Sequence, residues 1–388
     1  MNRRDLFTAA AGATLLPALA GVSRAGTVSG DTVPTGSLEV VAEFYGPGPS
    51  GIAVTPDNRI FVGFPRHAEN HRKATLAELK GDVLVPYPDK ALSLPSSASP
   101  DHRLVSIHGM TTDSKGRLWA IDDGKIVGQP IAPGAAKVIG IDPATDKLIA
   151  SIVLKAPAMR PDSHMNDLRV DLTHGALGTA YVADSSFGTS PALVVVDIAT
   201  GRQRRVLADH PSTQAEKGFL TVLDGRPLRY DPRNPTFPIG GVDSITLSPD
   251  STRLYYSPLT SRRLYSIPTA LLSNFDATEE QLAAGVTDHG EKVMTDGIAT
   301  DAQGRIYLTA SEHDSIMRWL PEDGTIEVVV RDPRIVWPDG IFVTADHVYC
   351  TLGQWNRLPG FNGGKDLRQP PYLLIRAPIT PPIREDQR

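Results

Sequence analysis

The chain has 388 residues, 40% of them apolar and 21% charged, with a formal net charge of −5 at neutral pH. That supplies a large core, and 34 Gly with 33 Pro suit many turns without reaching the level of a disordered chain. No basic excess points to nucleic acid or an anionic membrane, and a lone cysteine, Cys350, excludes an intrachain disulfide.

Residues 1–25 read as an export signal. Arg3-Arg4-Asp5-Leu6-Phe7 is a twin-arginine start, Thr8 to Val22 is apolar, and Ser23-Arg24-Ala25 offers small residues where a signal peptidase reads. The apolar run is too short to span a bilayer comfortably. The twin-arginine route carries folded proteins, some with a cofactor inside, and predicts a periplasmic or secreted location. Cleavage after Ala25 removes three arginines and one aspartate and takes the net charge to −7. Residues 26–37 read as a linker and 38–388 as one domain. No later apolar run approaches a membrane span, so the mature protein is expected to be a soluble monomer without a nucleic-acid partner.

From residue 49 onward one pattern returns six times: a polar residue, a small residue, a short alternating strand, a turn, and a second strand. Ser50-Gly51-Ile52-Ala53-Val54 runs through Asp57-Asn58 into Ile60-Phe61-Val62. His108-Gly109-Met110 follows, with Asp113 to Gly116 as its turn and Arg117-Leu118-Trp119-Ala120 after it. Asn166-Asp167-Leu168, Asp243-Ser244-Ile245, Asp296-Gly297-Ile298 and Asp339-Gly340-Ile341 open the other copies. The polar markers are separated by 58, 58, 77, 53 and 43 residues. Repeats of that length holding four short strands predict an all-β, six-bladed β-propeller with blades of four antiparallel strands. Asp57, Asp113, Asp250 and Asp301 read as hairpin-turn residues. Thr269 to Asn274 and Thr278 to Ala284 are predicted short helices, the second capped by Asp276. Cys350, in an apolar strand, reads as a buried structural thiol.

In a propeller the innermost strands line one central channel, so the six markers Ser50, His108, Asn166, Asp243, Asp296 and Asp339 should meet at its mouth. Converging carboxylates repel unless a cation sits between them or a proton is taken up. Hard divalent ions suit oxygen-rich sets, so Ca²⁺ or a similar cation is expected on Asn166, Asp243, Asp296 and Asp339. The other reading is structural: Asp before Gly at a strand start caps backbone N–H groups. His108 is the marker suited to moving protons near neutral pH, with Asp243 as a second catalytic candidate and His164 and His313 as weaker ones. Arg66, Trp119, Phe187 and Trp337 are candidate ligand contacts, with Phe64 and Trp355 beside them. No G-x-S-x-G, Walker-type loop, H-E-x-x-H or C-x-x-C occurs, which argues against serine-hydrolase, nucleotide and zinc-protease chemistry.

Several ordered stretches resemble a known family. Phe61-Val62-Gly63-Phe64-Pro65-Arg66, the run from Asp113 to Gly124, Asn166 to Asp171 with Tyr181 to Ser185, Leu254 to Thr269, and Asn356 to Phe361 are similar to successive signatures of the royal jelly/yellow family, here in a bacterial, dopachrome tautomerase-related form. The resemblance covers nearly all of residues 38–378. It implies pigment-type chemistry such as dopachrome conversion, or binding of biogenic amines at the channel mouth. The propeller is also similar to the gluconolactonase group, whose axial metal is held by Glu, Asn and Asp; Asn166, Asp243 and Asp296 resemble that set, with Ser50 where the Glu is expected. Two departures stand out: insect members carry disulfides, and the family's usual Trp after Pro-Arg is His67 here. Together these readings predict an enzyme acting on a small polar molecule at a metal-assisted mouth, by lactone hydrolysis or tautomerisation. A non-catalytic binder of small amines or metabolites is the alternative, through an acidic mouth with aromatic walls.

Overall fold

The computed structural model describes residues 34–186, 190–228 and 240–379. The stretches read as an export signal and, for the most part, as a linker lie outside them. The chain forms six four-stranded antiparallel sheets arranged as propeller blades. Blade 1 is Ile52–Val54, Ile60–Gly63, Leu76–Lys80 and Val83–Pro86, and blade 2 is Ile107–Thr112, Leu118–Asp122, Lys137–Asp142 and Lys147–Val153. Blade 3 is Met165–Asp171, Thr179–Asp184, Ala192–Asp197 and Gln203–Val206, and blade 4 is Val242–Leu247, Arg253–Pro258, Arg263–Pro268 and Thr287–Glu291. Blade 5 is Ile298–Thr300, Ile306–Ala310, Ser315–Trp319 and Ile326–Arg331.

The sixth repeat supplies Pro338–Val343, His347–Leu352 and Tyr372–Pro378, and the fourth strand comes from the other end of the chain, Glu39–Phe44. These two end strands pair antiparallel from Glu39 opposite Arg376 to Phe44 opposite Tyr372, and Arg376 adds an ion pair to Glu39 at 2.7 Å. Drawing both chain ends into one blade closes the ring and leaves only the short outer edges of the blades.

Apolar residues of neighbouring blades interlock between the sheets. Trp119, Val138, Leu168, Val182 and Val194 form one cluster spanning blades 2 and 3; Leu193, Val195, Ile245, Leu254 and Tyr256 form the next. Each fully buried aliphatic side chain contributes about 1.5–3 kcal/mol relative to exposure. The hairpin aspartates anchor the blades. Asp113 accepts from the backbone N–H groups of Lys115 and Arg117 and from the Trp119 indole at 2.8 Å. Asp301 repeats this with Gln303, Arg305 and the Tyr307 hydroxyl.

Both predicted helices are present, as Thr269–Ser273 and Glu279–Gly285. The cap of the second is Thr278, in a reciprocal capping box with Gln281, and not Asp276, which lies outside the first turn. The long separation between blades 3 and 4 holds a small hairpin, Val222–Leu223 with Arg226–Pro227. Cys350 is buried, and burial pushes its thiol up.

Candidate functional site

The markers are aimed by local irregularities. In blades 2, 3, 4 and 6 the register between the first two strands shifts at Ile107/Met110, Met165/Leu168, Val242/Ser244 and Pro338/Ile341. His108, Asn166, Asp243 and Asp339 therefore sit in bulges, which re-aim a side chain at a sheet's end. Neighbouring markers abut around the ring. A Cβ on Gly51 would strike the His108 carbonyl, one on Gly109 that of Asn166, one on Gly297 that of Asp339, and one on Gly340 that of Ser50. At these four places only glycine permits the approach, whereas Asn166 and Asp243 are followed by Asp167 and Ser244.

Blades 4 to 6 hold an acidic arc. Asp243, Asp296 and Asp339 are all buried. The Asn166 amide donates to Asp243 Oδ1, the Trp337 indole to Asp296 and the Trp355 indole to Asp339 Oδ2, the last at 2.6 Å. Asp243 Oδ2 is buried without a fixed hydrogen-bond donor and interacts with the Asp296 carboxyl. Burial pushes Asp243 up to about 8, with Asp167 and Asp339 adding repulsion and the bond to Asp296 opposing. Burial, then Asp243, holds Asp296 well above the carboxylate range; burial, then Asp296, does the same to Asp339. Two carboxyls in contact, both acceptors when ionised, are satisfied by sharing a proton.

Blades 1 to 3 hold a histidine arc. Among the described residues, His67, His108 and His164 are the group of three whose potential ligand atoms all lie within 4.8 Å of one another. Their ring centroids are 5.0–5.1 Å apart. Asp123 stands beside them: its Oδ2 is 3.8 Å from His67 Nδ1 and 3.6 Å from His164 Nδ1, while its Oδ1 accepts from the Lys125 N–H. Burial lowers His67 and His164 well below the ordinary imidazole value and His108 to about 3, and pushes Asp123 up to about 7. Asp184 fixes one member by accepting from the His164 backbone N–H at 2.8 Å. The arcs join at both ends. Ser50 Oγ is 3.4 Å from His108 Nδ1 and bonds Asp339, and Asn166 touches His108 through its backbone and Asp243 through its side chain.

The sequence-derived candidates divide accordingly. Asn166, Asp243, Asp296, Asp339, Trp337 and Trp355 come together. Arg66 does not reach the acidic arc: its buried guanidinium donates to the carbonyls of Val105 and Lys73, tying blade 1 to blade 2 just before His67. Trp119 departs furthest from its expected role as a ligand contact. It lies in the interblade core, pairs opposite Thr111 at the turn end of its strand, and donates to Asp113. Phe187 lies outside the described residues. His108 is a buried neutral imidazole, which disfavours the proton carrier near neutral pH that its position suggested. Asp167, Asp123 and His67 were not among the site residues read from sequence. A cleft of about 880 Å³ lined by Val41, Phe44, Tyr45, Phe64 and Leu84 lies on the flank of the propeller and includes none of the axial residues.

In the acidic arc part of the oxygen set that Ca²⁺ would need is engaged in hydrogen bonds. Ca²⁺ takes six to eight oxygens; here one oxygen of each aspartate is committed to an indole or amide N–H, and Asn166 turns its NH₂ rather than its carbonyl to Asp243. A shared proton satisfies this geometry better.

The family model described as Major royal jelly protein matches residues 105–356. The chain belongs to this family. Protein yellow of Drosophila subobscura is 26% identical over 276 residues, covering 65% of this chain and 43% of that protein. Major royal jelly protein 2 of Apis mellifera is 27% identical over 204 residues, covering 49% of this chain and 39% of that one. The chain thus matches less than half the length of these relatives. Among solved structures, a luciferin-regenerating enzyme superposes with a TM-score of 0.51 at 9% identity, covering 90% of this chain and 96% of that one. A gluconolactonase from Xanthomonas campestris gives 0.50 at 11%, covering 88% and 89%. These likenesses are of fold alone. No helix among the described residues is long and apolar enough to cross a membrane.

Proposed function

We propose that this member of the royal jelly family is an exported enzyme that moves protons on a small polar molecule at the channel mouth, by tautomerising a cyclic quinone-type compound or opening a lactone. The observation that carries this reading is the buried pair of contacting carboxyls, Asp243 and Asp296, in which burial pushes Asp243 up to about 8 and holds Asp296 well above the ordinary carboxylate range. Two contacting acids that share one proton divide the roles of base and acid, one ionised and the other protonated. Asp243, whose Oδ2 has no fixed donor, takes a proton from carbon or from water when it is the ionised partner. Asp296, held by the Trp337 indole, gives its proton to the carbonyl oxygen or to the leaving ring oxygen. For a tautomer this shifts a double bond with no net change in protons. For a lactone, water adds across the ring C–O bond. No step is routed through Ca²⁺.

The binder reading draws on the same residues, since Trp337 and Trp355 flank the acids. Their indoles point N–H edges at the carboxylates, whereas cation–π binding needs an exposed ring face. The test is a panel of lactones and dopachrome with wild type and Asp243→Asn, with and without chelator. Turnover by wild type that Asp243→Asn abolishes is expected. Stoichiometric amine binding with no turnover anywhere in the panel sinks the enzyme reading. A Ca²⁺-induced rise in melting temperature that Asp243→Asn removes restores calcium to the acidic arc.

A further inference from the structure

The histidine arc is unused by the proton-transfer reading, yet it is the more deliberately built half of the mouth. Three imidazoles from three blades converge within 4.8 Å of one another. Each is delivered by its own anchor. Arg66 pins the turn before His67 onto Val105 and Lys73, Asp184 holds the backbone of His164, and the bulge at Ile107/Met110 turns His108 inward. A purely packed histidine cluster would have its ring nitrogens and neighbouring carboxylate satisfied by fixed partners. Here two polar atoms are not. Asp123 Oδ2 and His67 Nδ1 are both buried without a hydrogen bond, and they lie 3.8 Å apart.

We propose that His67, His108 and His164 bind one divalent transition-metal ion, Zn²⁺ in preference to Ca²⁺, with Asp123 holding the rings in place. Neutral imidazole suits zinc-class ions, as carboxylate and carbonyl oxygen suit calcium. Zinc–nitrogen bonds of about 2.0–2.1 Å bring three ligand nitrogens closer than the present separation, so the rings need a short inward movement. A carboxylate behind metal-bound imidazoles orients them and offsets the charge, which gives the orphaned Asp123 oxygen its partner. Three protein ligands leave one position open towards a small molecule, the arrangement of a reactive rather than a closed structural zinc.

The site goes beyond the acid pair and is tested without substrate. Metal-stripped full-length protein is titrated with Co²⁺, followed by visible absorption, and the Co²⁺ is then displaced with Zn²⁺ while bound metal is counted. One equivalent with a nitrogen-ligand spectrum is expected. His67→Ala and His164→Ala should each weaken binding at least 100-fold, and His67→Trp, which keeps an aromatic ring but offers no basic ring nitrogen, should do so in a folded protein. Asp123→Asn should keep the stoichiometry and weaken affinity about 10–100-fold. Asp243→Asn should leave metal binding unchanged, so failure of the acid-pair reading does not touch this one. Less than one equivalent in wild type, or wild-type affinity in folded His67→Trp, overturns the proposal.

Discussion

Blades 1 to 3 and blades 4 to 6 build the two halves of one mouth from the same device, a bulged or abruptly started inner strand, yet fill it with opposite chemistry. Both halves are kept uncharged by burial. In the acidic half burial raises Asp243, Asp296 and Asp339 above the ordinary carboxylate range, so that loss of their protons is opposed. In the histidine half it means His67, His108 and His164 refuse protons they would otherwise accept. The first half thereby favours holding protons and the second favours neutral imidazoles, which can offer nitrogen lone pairs. The scaffold sets where side chains meet, and the local residue type alone decides which chemistry that meeting supports.

The largest expected effect separates chemistry from packing. Asp243→Asn should lower kcat/KM about 10²–10⁴-fold, the usual worth of a positioned acid or base, with no loss of melting temperature. Trp119→Ala should do the reverse, costing about 3–5 kcal/mol of stability while the folded fraction keeps its kcat/KM. Loss of turnover without loss of stability would return Trp119 to the mouth. The third effect is on pH dependence. Folded protein holds the Asp243 proton up to about 8 whereas the unfolded chain releases it near the ordinary aspartate value, so unfolded protein binds fewer protons in between. Stability should therefore fall as pH rises through that window, by about 1.4 kcal/mol per pH unit for each proton retained. Denaturant melts across the window should show Asp243→Asn removing one proton's worth of slope. The smallest effect is at Trp337→Phe, which removes the indole donor to Asp296. It should cost about 1–3 kcal/mol and move the alkaline limb of the pH–rate profile further up, because that donor lowers Asp296.

The acidic arc was legible in the sequence because its residues occupy one position of the repeat. Once six copies are aligned, Asp243, Asp296 and Asp339 must be neighbours. His67 and Asp123 were not legible by that count, since neither is a marker. They follow the second strand of blades 1 and 2. An antiparallel second strand returns to the mouth where the first began: Asp122 pairs with Ile107, and Asp184 with Met165. A second ring of positions was thus available in the pattern, at the ends of Phe61-Val62-Gly63 and Ala120-Ile121-Asp122, and only strand starts were read. Trp119 misled for the complementary reason. Three residues before Asp122, it lies towards the turn that Asp113 closes, where Tyr307 repeats its role with Asp301. Blade closure by Glu39–Phe44 left no mark in the repeat because that strand precedes the first copy.

The central claim is that the acidic half holds a proton at neutral pH. Carbon-13 NMR titration of aspartate carboxyls, in wild type and Asp243→Asn, tests it without a substrate. One resonance with a midpoint at about 8, absent from the variant, is expected. Ionisation of every aspartate close to the ordinary value of about 3.9 would contradict it.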